Sequence, residues 1–233
     1  MTINERGPVG DRSYAAVAER LQMPLVEAME TQRAVRRVLS DPVDDDIVLR
    51  CIELALRAPT GSNSQSWEFI VVRDPSVRAS FGEQYRGAWT QYREMTAGRE
   101  PSDGMTKVTA AVQWQVDHFD EIPVLVVPCL GPDAAGRSAP EPDDPPIRAS
   151  SFYGSIYPSV QNLLLAARAF GLGASLITLP LWSRSTAQRI LGLPADVTPV
   201  CMVPMGWPRG RYGPTTRRPV GEVVHHDRYG NRP

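Results

Sequence analysis

The sequence has few of the residues that mark several large classes of protein. Only three of its 233 residues are cysteine, and Cys51, Cys129 and Cys201 lie far apart, each in an apolar run. Such isolated cysteines predict small buried side chains and argue against a disulfide framework or a zinc cluster. The formal net charge of −1 gives no bulk attraction to nucleic acid or to an anionic membrane. We therefore expect neither as a partner.

Long apolar runs are also missing. The longest apolar clusters, at 122–130 and 163–167, are too short to span a bilayer. The first fourteen residues are polar and contain no apolar core of the kind that directs secretion. The sequence thus predicts a cytoplasmic protein.

The usual signatures of catalytic groups and of nucleotide-binding turns are absent as well. His118 falls in a polar helical region, and His225 and His226 fall on an extended tail, so three histidines give no Ser-His-acid arrangement. An isolated histidine pair on a tail is more often solvated than metal-bound. The GLG at 171–173 follows a helix, whereas a dinucleotide fingerprint follows a strand. We predict no metal site and no catalytic side chain.

Helical and strand patterns interleave along the chain. Three aspartates at 44–46 precede apolar residues at helical spacing, which predicts a helix ended by Pro59. Pro158 predicts a kink or a restart in a long apolar helix. The remaining predictions are strands at 69–72, 123–128, 174–178 and 200–203, polar helices over 76–118 with a break near 97–104, and helices at 150–170 and 183–191. Periodicity therefore indicates an α+β or α/β protein with three layers.

The chain divides by composition into an extension at 1–23 and a single domain at 24–233. Helical spacing in the extension is compatible with a short packed arm. Residues 131–149 are rich in proline, glycine and acid, which predicts an exposed loop or lid within the domain. The tail from 215 to 233 is polar and extended, as expected of a segment that wraps a neighbouring subunit.

Four segments have compositions suited to ligand binding. The arginines in QRAVRR at 32–37 could grip a phosphate, although a solvated basic face is the commoner interpretation. The hydroxyl- and amide-rich APTGSNSQSWEF at 58–69 could donate hydrogen bonds to a planar heterocycle, or could be a simple turn. LITLPL at 176–181 could present backbone N–H groups, or merely end a strand. TRRPVGEVVH at 216–225 could be a basic surface tail.

The order of these segments is more specific than any one of them. RAVRRV, then a helix, then APTGSNSQSWEFIVV resembles the N-terminal signature of the nitroreductase family of flavoproteins. NLLLAARAFGLGAS, LGLPADVTPVCMVPMGWP and RRPVGEVVH resemble its C-terminal half. The resemblance covers the chain from about 24 to 230, outside 131–149. It implies a three-layer α-β-α fold with a central, mainly antiparallel sheet and an intertwined homodimer.

The resemblance also implies tightly bound FMN at the dimer interface. Arg33 and Arg36, together with Arg217, would meet its phosphate. The loop after the first core helix would contact the ring, often from the partner subunit, and backbone amides of the strand-end segment would face the flavin N5 side. The cofactor-binding residues implied in this way are Arg33, Ala34, Val35, Arg36, Pro59, Thr60, Ser62, Asn63, Gln65, Thr178, Leu179, Pro180, Leu181 and Arg217.

The chain departs from the family pattern at three positions. Gln32 stands where an arginine or histidine is common, Val38 where phenylalanine is common, and Ser66 where a proline usually precedes the tryptophan. These departures bear on the subfamily more than on flavin binding.

The chemistry implied is hydride transfer from NAD(P)H to the flavin and then to a flat, electron-poor acceptor such as a nitroaromatic or a quinone. Arg36 could stabilise negative charge on the reduced ring near N1 and O2. Trp89, Tyr92 and Trp114 could line an acceptor pocket or pack a dimer core. Two other functions stay open: related flavin chemistry, such as reductive dehalogenation or fragmentation of the flavin, and storage or sensing of FMN without catalysis.

Overall fold

The computed structural model describes residues 11–98, 103–133, 135–211 and 213–233. The α-helices in these ranges are α1 Tyr14–Val17, α2 Leu25–Thr31, α3 Asp45–Ala55, α4 Pro75–Met95, α5 Asp103–Asp117, α6 Pro146–Gly154, α7 Tyr157–Phe170 and α8 Arg184–Leu191. The strands are β1 Trp67–Val72, β2 Val124–Leu130, β3 Gly173–Ala174, β4 Thr198–Pro199 and β5 Val203–Gly206.

Side chains of β2 alternate between two hydrophobic cores, as the two-residue period of a strand requires. Val124 and Val126 join the core formed with α3 and α7. Leu125 and Val127 join the core formed with α4 and with the segment after α5. The sheet therefore lies between two layers of helices, which confirms the predicted three-layer α-β-α arrangement. The three cysteines are buried, as predicted.

The strands pair in the order β1-β2-β5-β3, and β4 pairs with β2. Every pairing between these strands is antiparallel, which confirms the mainly antiparallel sheet. In this order β1 and β3 lie on opposite edges, separated by β2 and β5. Strand spacing of about 4.8 Å places these two edges roughly 14 Å apart.

Local signals explain the best-predicted elements. The Asp44 carboxylate accepts a 2.9 Å hydrogen bond from the Asp46 N–H and so caps α3. Asp74 caps α4 in the same way, and Pro75 occupies the first turn. The helix predicted to end at Pro59 ends at Ala55. The strand predicted at 69–72 begins two residues earlier, at Trp67, and the buried strand predicted at 123–128 is β2.

The segment predicted as an exposed loop is more ordered than expected. Its last four residues, 146–149, form the first turn of α6. Arg148 forms an ion pair with Asp144 and donates a 2.7 Å hydrogen bond to the Ser138 carbonyl, and Ala139 is buried. The helix predicted over 150–170 is two helices, and α7 restarts with Pro158 in its first turn, as the proline indicated.

Two predicted strands were wrong in their bounds. The strand predicted at 174–178 is regular only at β3. Its pairing is interrupted opposite Pro204, which has no N–H to donate, and resumes at the antiparallel bridge between Ile177 and Met202. The strand predicted at 200–203 is displaced to β5. Three residues, 200–202, connect β4 to β5, whereas only two residues of β2, Val127 and Pro128, lie opposite them. This extra residue forms a β-bulge between the two strands.

Both ends of the described chain dock on the domain. Val17 is buried, and the ring centroids of Tyr14 and Phe170 lie 6.0 Å apart. Residues 11–22 therefore form the packed arm that their spacing suggested. The Thr215 N–H donates a 2.9 Å hydrogen bond to the Glu30 carbonyl. Beyond it the tail is largely exposed. No helix within the described ranges is long and apolar enough to cross a membrane.

Candidate functional site

The arginine-rich segment runs extended alongside β3. The Val35 N–H donates a 2.9 Å hydrogen bond to the Ala174 carbonyl, and Ala34 forms a parallel bridge with the same residue. The fit is close: a β-carbon added to Gly173 would lie 2.4 Å from Cγ1 of Val35. The small residues of β3 thus allow Arg33–Arg36 to lie directly against the sheet edge.

Arg36 has a buried donor without an acceptor. Its Nε makes no hydrogen bond to any described residue. Burial lowers the pKa of Arg36, and interaction with Tyr85 opposes that shift. A buried donor left unpaired costs about 1–3 kcal/mol, so this position is suited to a ligand that accepts a hydrogen bond.

A chain of buried polar side chains lies next to Arg36. The Tyr85 hydroxyl donates to Oε1 of Gln115 at 3.3 Å, and Nε2 of Gln115 donates to the Ser175 hydroxyl at 3.0 Å. Burial raises the pKa of Tyr85 to about 12, and Arg36 acts in the opposite direction. This row of hydrogen-bonded side chains was not identified from the sequence, because Gln115 falls in a segment that is polar throughout.

Arg217 lies in a groove beside α2. The hydrogen bond between Thr215 and Glu30 brings the tail there, and the groove has a volume of about 550 Å³. Gln32 lines the same groove. The structure thus brings Arg217 next to Gln32, the first residue of the arginine-rich segment. Arg33 lines a second pocket, which Gln32 also borders.

The predicted strand-end contacts form a short 3-10 turn, Leu179–Leu181. Leu181 donates its N–H to the Thr178 carbonyl at 2.9 Å, so that amide is used inside the turn. The N–H of Leu179 has no acceptor among the described residues. Pro180 is buried, and Leu179 and α4 both line a cleft of about 400 Å³. Of the predicted amides in this turn, Leu179 is therefore the one open to a ligand.

The loop predicted to contact a ring has a strained backbone. Ser62, Asn63 and Gln65 have φ values of 53°, 52° and 49°, in the left-handed region that side chains disfavour. The Gln65 N–H donates to the Thr60 hydroxyl at 3.2 Å, and the Gly61 N–H donates to the Ser155 hydroxyl at 3.2 Å. Such conformations cluster at ligand-binding sites.

The same loop borders a cleft of about 940 Å³ between itself, the 131–148 segment and α6. Ile147 on its rim is 71% exposed, and Phe152 adds a second apolar wall. The polar residues on the walls include the ion pair between Asp133 and Arg137. Pro59 and the side chains of Ser62, Asn63 and Gln65 are exposed.

The predicted site residues form two groups that one chain does not bring together. Arg33–Arg36, Thr178–Leu181 and Arg217 gather near β3, whereas the loop at 59–65 leads into β1 on the opposite edge of the sheet. The strand order rather than the sequence sets this separation. A ligand held by both groups would have to span this separation within one chain or lie between two chains.

The aromatic residues of the middle region pack within the chain. Trp89 is buried, stacks on Tyr92 with ring centroids 5.6 Å apart and donates to Oε1 of Gln113 at 2.8 Å. Trp114 stacks on His118 with centroids 4.2 Å apart. Of the three, Tyr92 is 40% exposed, so it is open to a ligand or a partner.

Comparison with known proteins gives concordant matches. An NADH dehydrogenase of Thermus thermophilus is 26% identical over 215 residues, which are 87% of this chain and 97% of the relative. A 5,6-dimethylbenzimidazole synthase of Rhodospirillum rubrum is 27% identical over 204 residues, 87% of each chain. The structure of the NADPH:FMN oxidoreductase of Vibrio harveyi, complexed with NAD+, superposes with a TM-score of 0.65 at 20% identity. That alignment covers 88% of this chain and 77% of the oxidoreductase.

The model of the nitroreductase family matches residues 29–207. This range begins just before the arginine-rich segment and ends after β5, so it contains the whole sheet and most of both groups of predicted site residues. The chain belongs to the nitroreductase family.

Proposed function

We propose that this protein is an FMN-dependent oxidoreductase that works as a homodimer. It takes hydride from NAD(P)H and delivers reducing equivalents to a nitroaromatic, a quinone or a similar electron-poor acceptor. The observation that best supports this proposal is that the predicted flavin contacts lie on opposite edges of the sheet. A flavin held between Arg36 of one subunit and the 59–65 loop of the other would use both groups.

The residues present fit the cofactor. Arg33, Arg36 and Arg217 form no ion pair with a carboxylate among the described residues, so their guanidinium donors are available to a phosphate or to ring carbonyls. The buried Nε of Arg36 lacks an acceptor, which a flavin oxygen or nitrogen could provide. The names of the oxidoreductase and dehydrogenase relatives support the same assignment.

The chemistry of hydride acceptance and release belongs to bound FMN. The chain's own residues would orient and stabilise it. Arg36, held near Tyr85, would supply positive charge to a flavin that becomes negatively charged on reduction. Leu179 and Pro180 present an apolar wall and one open N–H, and the 59–65 loop presents hydroxyl and amide groups. No side chain is required to act as an acid, a base or a nucleophile.

Exposed apolar surface supports the dimer. On α2, Leu25, Val26 and Met29 are 57–65% exposed, and on the tail Val220 and Tyr229 are 74% and 92% exposed. Exposed apolar side chains that cluster on one short helix, as on α2, are typical of a protein interface. The α2 patch directly precedes the arginine-rich segment, so an interface there would include the site. Light scattering of the purified protein should give twice the chain mass.

An anaerobic absorbance titration tests the proposed activity. Protein loaded with FMN is titrated with NADPH and, separately, NADH, and then mixed with a quinone or a nitroaromatic. We expect the flavin band to bleach and to return stoichiometrically when the acceptor is added. Bound flavin that neither donor bleaches would instead support storage or sensing of FMN.

A second outcome is suggested by the dimethylbenzimidazole synthase relative. If the protein fragments the flavin, returning the reduced protein to air would not restore the flavin absorbance band, and no acceptor would restore it either. Preferential turnover of a halotyrosine would favour dehalogenation. Reversible bleaching through repeated cycles with a quinone separates the proposed reductase from both.

A further inference from the structure

Three guanidinium groups border one pocket beside the arginine-rich segment. The pocket has a volume of about 240 Å³, and Arg33, Arg168 and Arg211 line it together with Thr31 and Gln32. Its described lining contains no carboxylate. Arg168 comes from the last turn of α7 and Arg211 from the segment after β5, so three distant parts of the sequence bring positive charge to one place.

These charges have no counter-ion in the described part of the chain. None of the three arginines forms an ion pair there. Nε of Arg168 donates a 2.8 Å hydrogen bond to the Thr31 hydroxyl, which orients that guanidinium and leaves its terminal nitrogens open. Like charges around one cavity repel, and a bound anion would remove that repulsion.

The pocket continues into the groove that contains Arg217. Gln32 lines both. Along α7, Gln161 lines the groove, and Leu164 and Arg168 line the pocket. Spacings of three and four residues place all three on one helix face, and seven residues of α-helix rise about 10 Å. Arg217 and Arg168 therefore flank Gln32, which is itself uncharged.

We propose that Arg168 and Arg211, together with Arg33, bind the phosphate group of FMN. This inference rests on the proposed function, and it assigns two residues outside the predicted cofactor set. A phosphate monoester carries a charge of about −1.5 to −2 near neutral pH, and several guanidiniums hold it better than one. Arg168 and Arg211 supply the positive charge that Gln32 does not.

Comparing FMN with riboflavin isolates the phosphate, since riboflavin has the same ring and lacks that group. Flavin-free protein is titrated with each flavin, and binding is followed by quenching of flavin fluorescence. For the Arg168→Gln/Arg211→Gln variant we expect FMN affinity to fall roughly 10- to 100-fold while riboflavin affinity stays unchanged. Arg168→Lys should retain part of the affinity, because it keeps the charge and loses the planar donors.

The matched control is Arg184→Gln/Arg189→Gln, which removes two exposed arginines from α8 and should leave both affinities unchanged. The single variant Arg211→Gln changes an exposed residue, so it tests the same assignment if the double variant fails to fold. Wild-type FMN affinity in the double variant, or equal losses for both flavins, would overturn the phosphate assignment alone. Wild-type protein that binds neither flavin would overturn the proposed function as well.

Discussion

The Val35 N–H donates a 2.9 Å hydrogen bond to the Ala174 carbonyl, and this contact holds the arginine-rich segment against the edge strand β3. Val35 also packs so closely on Gly173 that no side chain fits between them. The position of Arg36 therefore depends on two small residues that lie almost 140 positions further along the chain.

Substitution of Gly173 by alanine should weaken both the fold and the site. The new β-carbon would lie 2.4 Å from Cγ1 of Val35, so the segment must shift. Overpacking of this kind destabilises by about 1–3 kcal/mol. Urea unfolding should show that loss, and FMN titration a weaker complex. Gly87→Ala is the control, since nothing lies within 4 Å of a β-carbon there and alanine favours the helix α4.

Mixed dimers should reveal whether the site is shared. We expect Arg36→Ala/Arg217→Ala to abolish FMN binding by removing contacts near β3, and Thr60→Ala/Asn63→Ala/Gln65→Ala to abolish it by removing contacts of the 59–65 loop. In a dimer with one chain of each kind, one site combines the two altered groups. The other site combines the two unaltered groups. Refolding the two variants together should therefore restore FMN binding, up to one FMN per mixed dimer.

Two controls make that result interpretable. Each variant refolded alone should bind no FMN under the same conditions. Mixing Arg36→Ala with Arg217→Ala should restore nothing, because both substitutions fall in the same group and each possible site retains one defect. Restoration in this second mixture, or none in the first, would contradict a site shared between β1 of one chain and β3 of the other.

Arg36→Gln should make the bound flavin harder to reduce. Loss of a partly buried positive charge removes stabilisation of the anionic reduced ring, and we expect a fall in the two-electron midpoint potential of roughly 30–60 mV. Spectroelectrochemistry of the FMN-loaded protein measures it directly. Arg184→Gln, on the surface of α8, should leave the potential unchanged. An unchanged potential in Arg36→Gln would place that guanidinium away from the ring.

The three thiols should be unreactive in the folded protein. Burial raises the pKa of Cys51, Cys129 and Cys201 to about 12, with a smaller contribution from Glu68 at Cys129 and from Cys129 at Cys201. At pH 8 we expect no reaction with the thiol reagent DTNB, and three equivalents after unfolding in guanidinium chloride. Rapid labelling of the native protein would show that one thiol reaches solvent.

The same pKa shifts predict a loss of stability at alkaline pH. A thiol whose pKa is raised on folding, from about 9 to about 12, contributes stability that is fully present below pH 9. Above that pH the unfolded chain releases its thiol protons first, so the free energy of unfolding should fall as pH rises from about 9 to 12. A Cys51→Ala variant should show a shallower fall over that window.

Local chemistry was enough to predict much of this protein. Asp44 and Asp74 cap helices through their own neighbours, β2 is apolar throughout, and Pro158 cannot continue a helix, so each element is specified within a few residues. The order of the four binding segments identified the family for the same reason, since motif order is a property of the chain alone. The positions of β3 and β5 were misjudged because Pro204 and the bulge at 200–202 act only once strands are paired.

Tertiary structure alone decided how the site is assembled. The strand order places the 59–65 loop and the arginine-rich segment on opposite edges of the sheet, and no local pattern encodes which strands become neighbours. The same holds for Arg168 and Arg211, which meet Arg33 only because α7 packs against the segment after α2. Residue types determine which groups are available for binding, whereas long-range packing determines which of them face the same ligand.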